Sequence, residues 1–517
     1  MLKAHGGLLF YRALVYDHHL DWHDRKADRA KAAVEIFQPL DGKFDDNVVI
    51  QIKHGPIDFQ VREPASPLFA DLHQTNEAIE LQITQEYLGQ QRHMVYLGPM
   101  WKEVLDFDMQ ANGTYAPVRD IVAGRGFHSA TGGFVGVANV GMNEFWLGHP
   151  LAMSNLYAFG RLAWDPTLST AVIARDWTKL TFGPDLLVGR MIPAMLMSSW
   201  RTYESYTGVL GLQTLTDITG SHYGPGIESA ERNGWGQWFR AEQNAIGMDR
   251  TVSTGTGFVS QYPFPVARMY ESTETTPDDL ILFFHHLPYT YRLRSGKTIA
   301  QYIYDSHYQG AMRAAAYVEQ WKTLRGHIDG HRCRLVLSFL EYQAGHAIVW
   351  RDAVCEWFLR ISGIPDEKGR AGHHPDRIEA EAMQLGRGFT EVAIAPPENA
   401  SGGKAVQCMA QQCTARFRFQ GRGGWYEVDV QYFDMPGGSA RFQLLVNSQM
   451  VDQWTADDRL PARILGGDSA TRRWVHGVAL RPGDELRVVA IPDGLDPAAL
   501  DYIEIRPEKH VDARNRH

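Results

Sequence analysis

Lys53, Asp58 and Glu86 combine residue types and spacing that could do chemistry. They sit on or just after two short stretches. Asn47-Val48-Val49-Ile50-Gln51-Ile52-Lys53 runs into His54-Gly55-Pro56-Ile57-Asp58, and Glu80-Leu81-Gln82-Ile83-Thr84-Gln85-Glu86 follows. Both are β-rich and bounded by turn residues, which predicts strands. Val48, Ile50 and Ile52 share one face of the first, and Val49, Gln51 and Lys53 the other. In the second, Leu81 and Ile83 oppose a polar row of Glu80, Gln82, Thr84 and Glu86. In a parallel barrel the apolar faces meet surrounding helices, and chemistry belongs at the C-terminal strand ends. The pattern also fits a solvated antiparallel face with Asp58 as a turn former after Gly-Pro.

Stepping outward, Leu8, Phe10, Arg12 and Leu14 share one face of a strand expected over residues 7–16. Arg12 is then either a strand-end charge reaching solvent or a group aimed at an anionic substrate. Asp24–Phe37 and Phe69–Ala78 read as helices, and Met94–Leu97 and Phe134–Val140 as further strands. Strand alternating with helix is the signature of a parallel α/β sheet. About five strands can be counted before the pattern stops near residue 145. From there the character is helical. Asn155–Trp164 forms one helix, and Ile173, Trp177 and Leu180 lie at helical spacing in another that Gly183-Pro184 closes. Residues 361–375 read as a linker. Beyond it the expected strands are Thr414–Phe419, Trp425–Tyr432, Arg441–Val446, Val475–Leu480, Glu485–Ile491 and Asp501–Ile505, which predict a β-sandwich.

Hydrophobic residues make up 44% and charged residues 21% of the 517 positions, the composition of an ordinary folded protein. A net charge of −9 argues against nucleic-acid binding by bulk electrostatics. No apolar run reaches the roughly 18 residues of a membrane span, and MLKAHGGLLFYRALVY reads as a strand, not a signal peptide. Four cysteines, Cys333, Cys355, Cys408 and Cys413, are too few and too scattered for a disulfide scaffold or a zinc site. Cys408 and Cys413 are close enough in sequence to pair or to remain two free thiols.

The strings LDGKFDDNVV, IQIKHGPIDFQVREP, IELQITQEYLG, VYLGP, GHPLAMSNLYAFGRLAWDP, SHYGPG and HHLPYTYRLRSGKTIAQYIYDSH resemble the α-glucuronidases of glycoside hydrolase family 67. The resemblance covers roughly residues 5–370. It implies a partial (β/α)8 barrel over 1–150 and an α-helical domain over 151–370. Asp58 and Glu86 match the two carboxylates that activate the hydrolytic water, and hydrolysis is expected to invert. Arg12 and Lys53 are expected to bind the uronate carboxylate, because an anionic sugar needs charge-assisted donors. The loops Gly220–Gly226 and Asn233–Trp238 read by composition as turns; the resemblance brings them towards the active site, with His222, Tyr223, Trp238 and Trp235 as substrate-binding residues. The implied substrates are glucuronoxylan-derived oligosaccharides carrying α-1,2-linked (4-O-methyl)glucuronic acid, with no cofactor in catalysis, no nucleic-acid or membrane partner, and a homodimer among the allowed assemblies.

The family's general acid is a Glu on a strand upstream of that of Arg12, whereas no Glu here precedes Glu35. The resemblance therefore implies the C-terminal two-thirds of the enzyme, as a truncated or misassigned reading frame would leave it. Little or no turnover, exposed strand edges and poor solubility are expected. The alternative is a carbohydrate-binding protein without catalysis. The location, cytoplasmic or secreted, stays open.

Residues 376–507 carry RIEAEAM, GGWYEVDVQYF and LDYIEI, which resemble carbohydrate-binding modules of families 6 and 35. In those modules acidic residues of the first and last strands hold a structural calcium. The matching positions are Glu379 or Glu381, and Asp501.

Overall fold

The computed structural model describes residues 2–13, 21, 24–127, 129, 131–139, 141–142, 145, 148–218, 220–227 and 240–508. Two compact units emerge. One comprises residues 1–218, 227–344 and 361–363, and the other 219–226, 345–360 and 364–517.

The first unit is built on four parallel strands in the order β1 (Leu9–Arg12), β2 (Val48–Lys53), β3 (Asn76–Gln82) and β4 (Gly133–Val137). Register places Arg12 beside Gln51, and Lys53 beside Glu80. The polar rows of the two central strands thus share one face, as their alternation requires. On the other face Ile50, Ile52, Ile79 and Leu81 are buried. Among the described residues the sheet has half the strands of a closed eight-stranded barrel, and every residue of β1 is exposed.

Three expectations in this region are corrected. Residues 69–78 are not a helix. Pro67–Ala70 forms a single 3-10 turn, and β3 begins at Asn76, four residues earlier than its pattern suggested. Thr75 is tied to Asp41, with Oγ1 donating at 2.8 Å, which starts the strand early. Met94–Leu97 is not a strand either, because its backbone donors go to side chains: Met94 N to Gln343 Oε1 at 2.9 Å, Tyr96 N to Ser199 Oγ at 2.8 Å and Leu97 N to Asn155 Oδ1 at 2.8 Å. The helix expected from Asp24 is shorter, a 3-10 turn at Arg29–Lys31 leading into Ala32–Phe37. Part of the strand expected over residues 7–16, and Val140, lie outside the described residues.

The helices of this unit follow their local signals. Met153–Trp164 ends at Asp165, and Thr170–Phe182 ends at Gly183 with φ 91°, a conformation glycine adopts without steric cost. Ile173 and Trp177 are buried, but Leu180 of the same proposed stripe is exposed. Asp185 caps Leu186–Thr207 through the amides of Leu187 and Val188. Ile299–Lys322 is capped by Thr298, and Gly330–Ser362, whose residues 345–360 belong to the second unit, is the longest helix among the described residues. A short antiparallel pair, β5 (Ala245–Ile246) and β6 (Leu287–Pro288), completes the set. Among the described residues no helix is long and apolar enough to cross a membrane.

The second unit holds two antiparallel sheets. One runs β15 (Ala470–Arg473), β12 (Gly424–Phe433), β18 (Leu500–Pro507), β10 (Lys404–Cys408), β9 (Phe389–Ala393), with β16 (Val478–Leu480) on β12 and β7 (Arg377–Glu379) on β18. The other runs β14 (Gln449–Thr455), β13 (Arg441–Val446), β17 (Glu485–Ile491), β11 (Cys413–Arg418), β8 (Gln384–Leu385). Val428 and Val430 of the first meet Phe442, Leu444 and Val488 of the second in one core, a two-sheet sandwich. β13 and β17 match their expected bounds. β14 was missed, although Asn447 and Ser448 both adopt positive φ in the hairpin that leads into it. Cys408 and Cys413 form a disulfide that joins β10 to β11, and so one sheet to the other. The segment expected as a linker is itself ordered, with Asp366 buried and paired to Arg370 Nε at 2.7 Å.

Candidate active site

Lys53 closes β2, and the chain leaves the sheet through a loop that returns at Ser66, whose N–H donates to His54 O at 3.0 Å. Within this loop Asp58 lies in direct ionic contact with Lys53, both largely buried. The Lys53 ammonium also sits 4.8 Å from the centre of the Phe59 ring. Tyr87 donates its hydroxyl to the other oxygen of Asp58 at 3.2 Å. Both oxygens of Asp58 are therefore engaged, which holds its carboxylate in one orientation.

Glu86, next to Tyr87, accepts from Gln82 Nε2 at 2.8 Å. Gln82 ends β3 on the same face as Glu80. Sequential residues thus carry one carboxylate and the group that steadies the other, which brings Asp58 and Glu86 to the same strand ends. The loop after β3 is held from below by a buried network. Tyr203 donates to Tyr87 O at 3.2 Å, Gln85 Nε2 donates to the carbonyls of Leu88 and His93, and His93 Nδ1 meets Tyr206 Oη at 2.7 Å. Tyr203 and Tyr206 belong to the helix Leu186–Thr207, so the helical part of this unit supports the loop of the sheet.

Arg12 is engaged differently from expectation. Its Nε donates to Glu80 Oε2 at 2.9 Å and its Nη2 contacts the other oxygen, while Gln51 donates to the same carboxylate. Its charge is matched by a buried acid before any ligand arrives. His54 is buried with neither ring nitrogen hydrogen-bonded. Burial and then the neighbouring Lys53 charge lower its pKa to about 4, which keeps the imidazole neutral at neutral pH.

Trp235 and Trp238 lie outside the described residues. His222 and Tyr223 belong to the second unit. Tyr223 is fully buried and stacks on His346 with ring centres 4.7 Å apart, and His222 takes a positive φ. Residue type and spacing alone did not reveal Gln51, Glu80, Gln82 and Tyr87 as partners of the expected site. The polar row of β3 was the available signal for Glu80 and Gln82; Tyr87 carried none.

Glu379 and Asp501 meet at Ser401 in the second unit, with the charge of Glu381 close enough to act on both. Glu379 Oε1 accepts from Ser401 Oγ at 2.7 Å and Asp501 from Ser401 N at 3.2 Å. Glu379 Oε2 and Glu381 Oε2 are buried without a hydrogen-bond partner. Burial raises the Asp501 pKa well above the carboxylate range; the Arg377 charge opposes this, and those of Glu379 and Glu381 add to it. Unpartnered carboxylate oxygens are the donor type that a hard cation such as calcium takes. Among the described residues, no three His, Cys, Asp or Glu side chains are arranged to hold a metal ion.

A parallel sheet with carboxylates just past its C-terminal strand ends is an arrangement that glycoside hydrolases use. Family models agree: the family 67 glycosyl hydrolase middle domain matches residues 1–146 and the family 67 C-terminus matches residues 147–371. Together the two span most of the chain, which belongs to glycoside hydrolase family 67. The chain is 52% identical over 518 residues to the probable alpha-glucuronidase A of Aspergillus clavatus, covering 99% of this chain and 62% of that protein. It is 52% identical over 519 residues, with the same coverage, to the alpha-glucuronidase A of Aspergillus tubingensis. The chain thus spans about three-fifths of the length of these curated relatives. Among solved structures, a family 35 carbohydrate-binding module from Clostridium thermocellum covers 26% of this chain and 98% of that one at 13% identity, with a TM-score of 0.21. At that score it carries no argument.

Proposed function

We propose that this chain acts in the hydrolysis of α-1,2-linked (4-O-methyl)glucuronic acid from xylo-oligosaccharides, with inversion, in xylan degradation. The observation that carries the reading is the engagement of Asp58 by Lys53 and Tyr87 just past the end of β2, with Glu86 just past the end of the neighbouring β3. In this scheme Asp58 and Glu86 orient the attacking water and take its proton. The lysine ammonium serves Asp58, and in this scheme its charge also attracts the uronate carboxylate. The relatives named alpha-glucuronidase support the substrate class.

The departing sugar also needs a proton. Among the described residues Glu63, Glu77 and Glu80 are the other buried carboxyls on or beside these strands, and Glu77 lies on the opposite, apolar face of β3. Glu63 is bound by backbone amides, and Glu80 by Arg12 and Gln51. The acid in this reading is therefore a group outside this set. The second reading, carbohydrate binding without turnover, draws on the same feature. A structural calcium at Glu379 or Glu381 and Asp501 would need these side chains to rearrange, since they are not arranged to hold a metal ion as they stand, and it would take no part in the steps above.

The test is glucuronate release from a purified glucuronoxylo-oligosaccharide, with Asp58→Ala and Glu86→Ala chains as controls. Release that either substitution lowers by about a thousandfold supports the enzyme, since loss of such a base costs roughly 10²–10⁴ in rate. Saturable binding with no release supports the second reading. Equal release from all three chains removes both carboxylates from the mechanism.

A further inference from the structure

Glu63 is absent from every role described so far, yet its side chain occupies the centre of the loop that carries Asp58. Its Oε2 accepts from Ile57 N at 2.6 Å, and its Oε1 accepts from Asp58 N at 3.0 Å and Gln60 N at 2.7 Å. The residue is buried. Three backbone amides converging on one carboxylate form an anion nest supplied from within the chain.

The surroundings are shaped to this carboxylate. A Cβ at Gly55 would lie 2.4 Å from both Cβ and Oε2 of Glu63, so the tight approach of the two segments requires glycine at 55. Phe59, between two of the donating amides, takes φ 55°. That left-handed conformation is unfavourable for a non-glycine residue, and the flanking hydrogen bonds hold it. The far side of the loop is anchored as well. Arg62 is buried and paired to Glu204, with a second contact to Glu103 at 2.6 Å, and Val61 N donates to Thr214 Oγ1 at 3.1 Å. Glu63 therefore projects from an anchored base into the half of the turn that carries Asp58.

We propose that Glu63 is a positioning residue for Asp58: it clamps the backbone at 57–60 so that the Asp58 carboxylate meets Lys53 and Tyr87. The proposal rests on the reading of Asp58 as the base. Without the clamp three amides lose a charged acceptor, and the loop relaxes away from β2. A displacement of about 1 Å at a reacting group costs on the order of 100-fold in rate.

Two measurements on the full chain test it. In Glu63→Ala, hydrogen exchange of the segment 55–61 is expected to accelerate by about 10- to 100-fold, the range for losing a hydrogen bond to a charge, while exchange of β2 is unchanged. Glucuronate release is expected to lose about 100-fold in kcat with KM within about twofold, because the uronate donor is untouched. Gly55→Ala should reproduce both effects by displacing the carboxylate. Glu63→Gln should fall between, since its amide oxygen still accepts from two amides while its NH2 faces Ile57 N–H. Unchanged exchange at 55–61 in both Glu63→Ala and Gly55→Ala overturns the clamp. Faster exchange throughout the first unit, with kcat and KM altered together, shows a general structural role and also overturns it. If the unsubstituted chain releases no glucuronate, the enzymatic reading fails, and the exchange comparison still decides whether Glu63 holds the backbone of Asp58.

Discussion

Arg12 and Glu80, on strands separated by β2, are joined through both oxygens of one carboxylate, with Nε to Oε2 at 2.9 Å. Gln51 on the intervening strand donates to the same acid. The pair stitches three parallel strands together on the polar face of the sheet. Glu80 is wholly buried, whereas the Arg12 side chain is 40% exposed. Arg12→Ala is expected to lower unfolding stability by about 1–2 kcal/mol, at the low end for a buried acceptor losing a charged partner because solvent partly replaces it. Denaturant titration checks this. Arg12→Lys should recover less than half, since an ammonium cannot fork onto both oxygens.

Glu77 sets a pH dependence. It is buried beneath the sheet with neither oxygen hydrogen-bonded. Burial first, then the charges of Asp41 and Asp71, raise its pKa well above the usual range, and burial pushes Asp71 up to about 7. A raised acid favours the folded state when protonated, so its contribution is complete below the unfolded value of roughly 4.3 and is lost as pH rises through the folded value. Glu77→Gln should therefore be more stable than the unsubstituted chain at pH 7 to 8, with the gain vanishing near pH 4. Urea midpoints across that range decide it; a variant less stable at every pH would show that the carboxyl has a partner.

The Cys408–Cys413 bridge closes a short loop between the two sheets. Loop-closure entropy for so few residues gives about 2 kcal/mol. Reduction, or Cys408→Ala with Cys413→Ala, is expected to lower the thermal transition of the second unit by that amount and leave the transition of the first in place. Calorimetry with and without reductant separates the two.

Calcium binding at Glu379, Glu381 and Asp501 predicts that added calcium raises the melting temperature of the second unit and a chelator reverses it. Glu381→Gln and Asp501→Asn should each abolish the rise. No rise in the unsubstituted chain removes calcium from the proposal.

Gly224 lies where a Cβ would come within 2.4 Å of Asp468 N. Backbone cannot yield as a side-chain tip does, so Gly224→Ala should cost about 1–3 kcal/mol in the second unit. Thermal unfolding that separates the two transitions measures it.

Much of the sheet was legible because strand periodicity is local. The alternation of Val48–Lys53 assigned Gln51 and Lys53 to one face, and register places that face as assigned. The same reasoning failed at Met94–Leu97, where extended backbone found side-chain acceptors instead of a neighbouring strand. It failed again at residues 69–78, where Asp41 tied to Thr75 set the start of β3. Neither partner lies within a window that periodicity can see.

By itself the sequence determined which residues carry charge at the strand ends, since residue type and a period of two are enough to place Lys53, Glu80 and Gln82 on one face. It also determined the family, through long matching strings around Asp58 and Glu86. Only the tertiary structure decided what those charges touch. Arg12 meets Glu80 across 68 positions, Tyr87 reaches Asp58 across 29, and Arg62 meets Glu204 across 142. Ion pairs and hydrogen bonds act over a few ångströms of space, and chain separation places no limit on which residues folding brings that close.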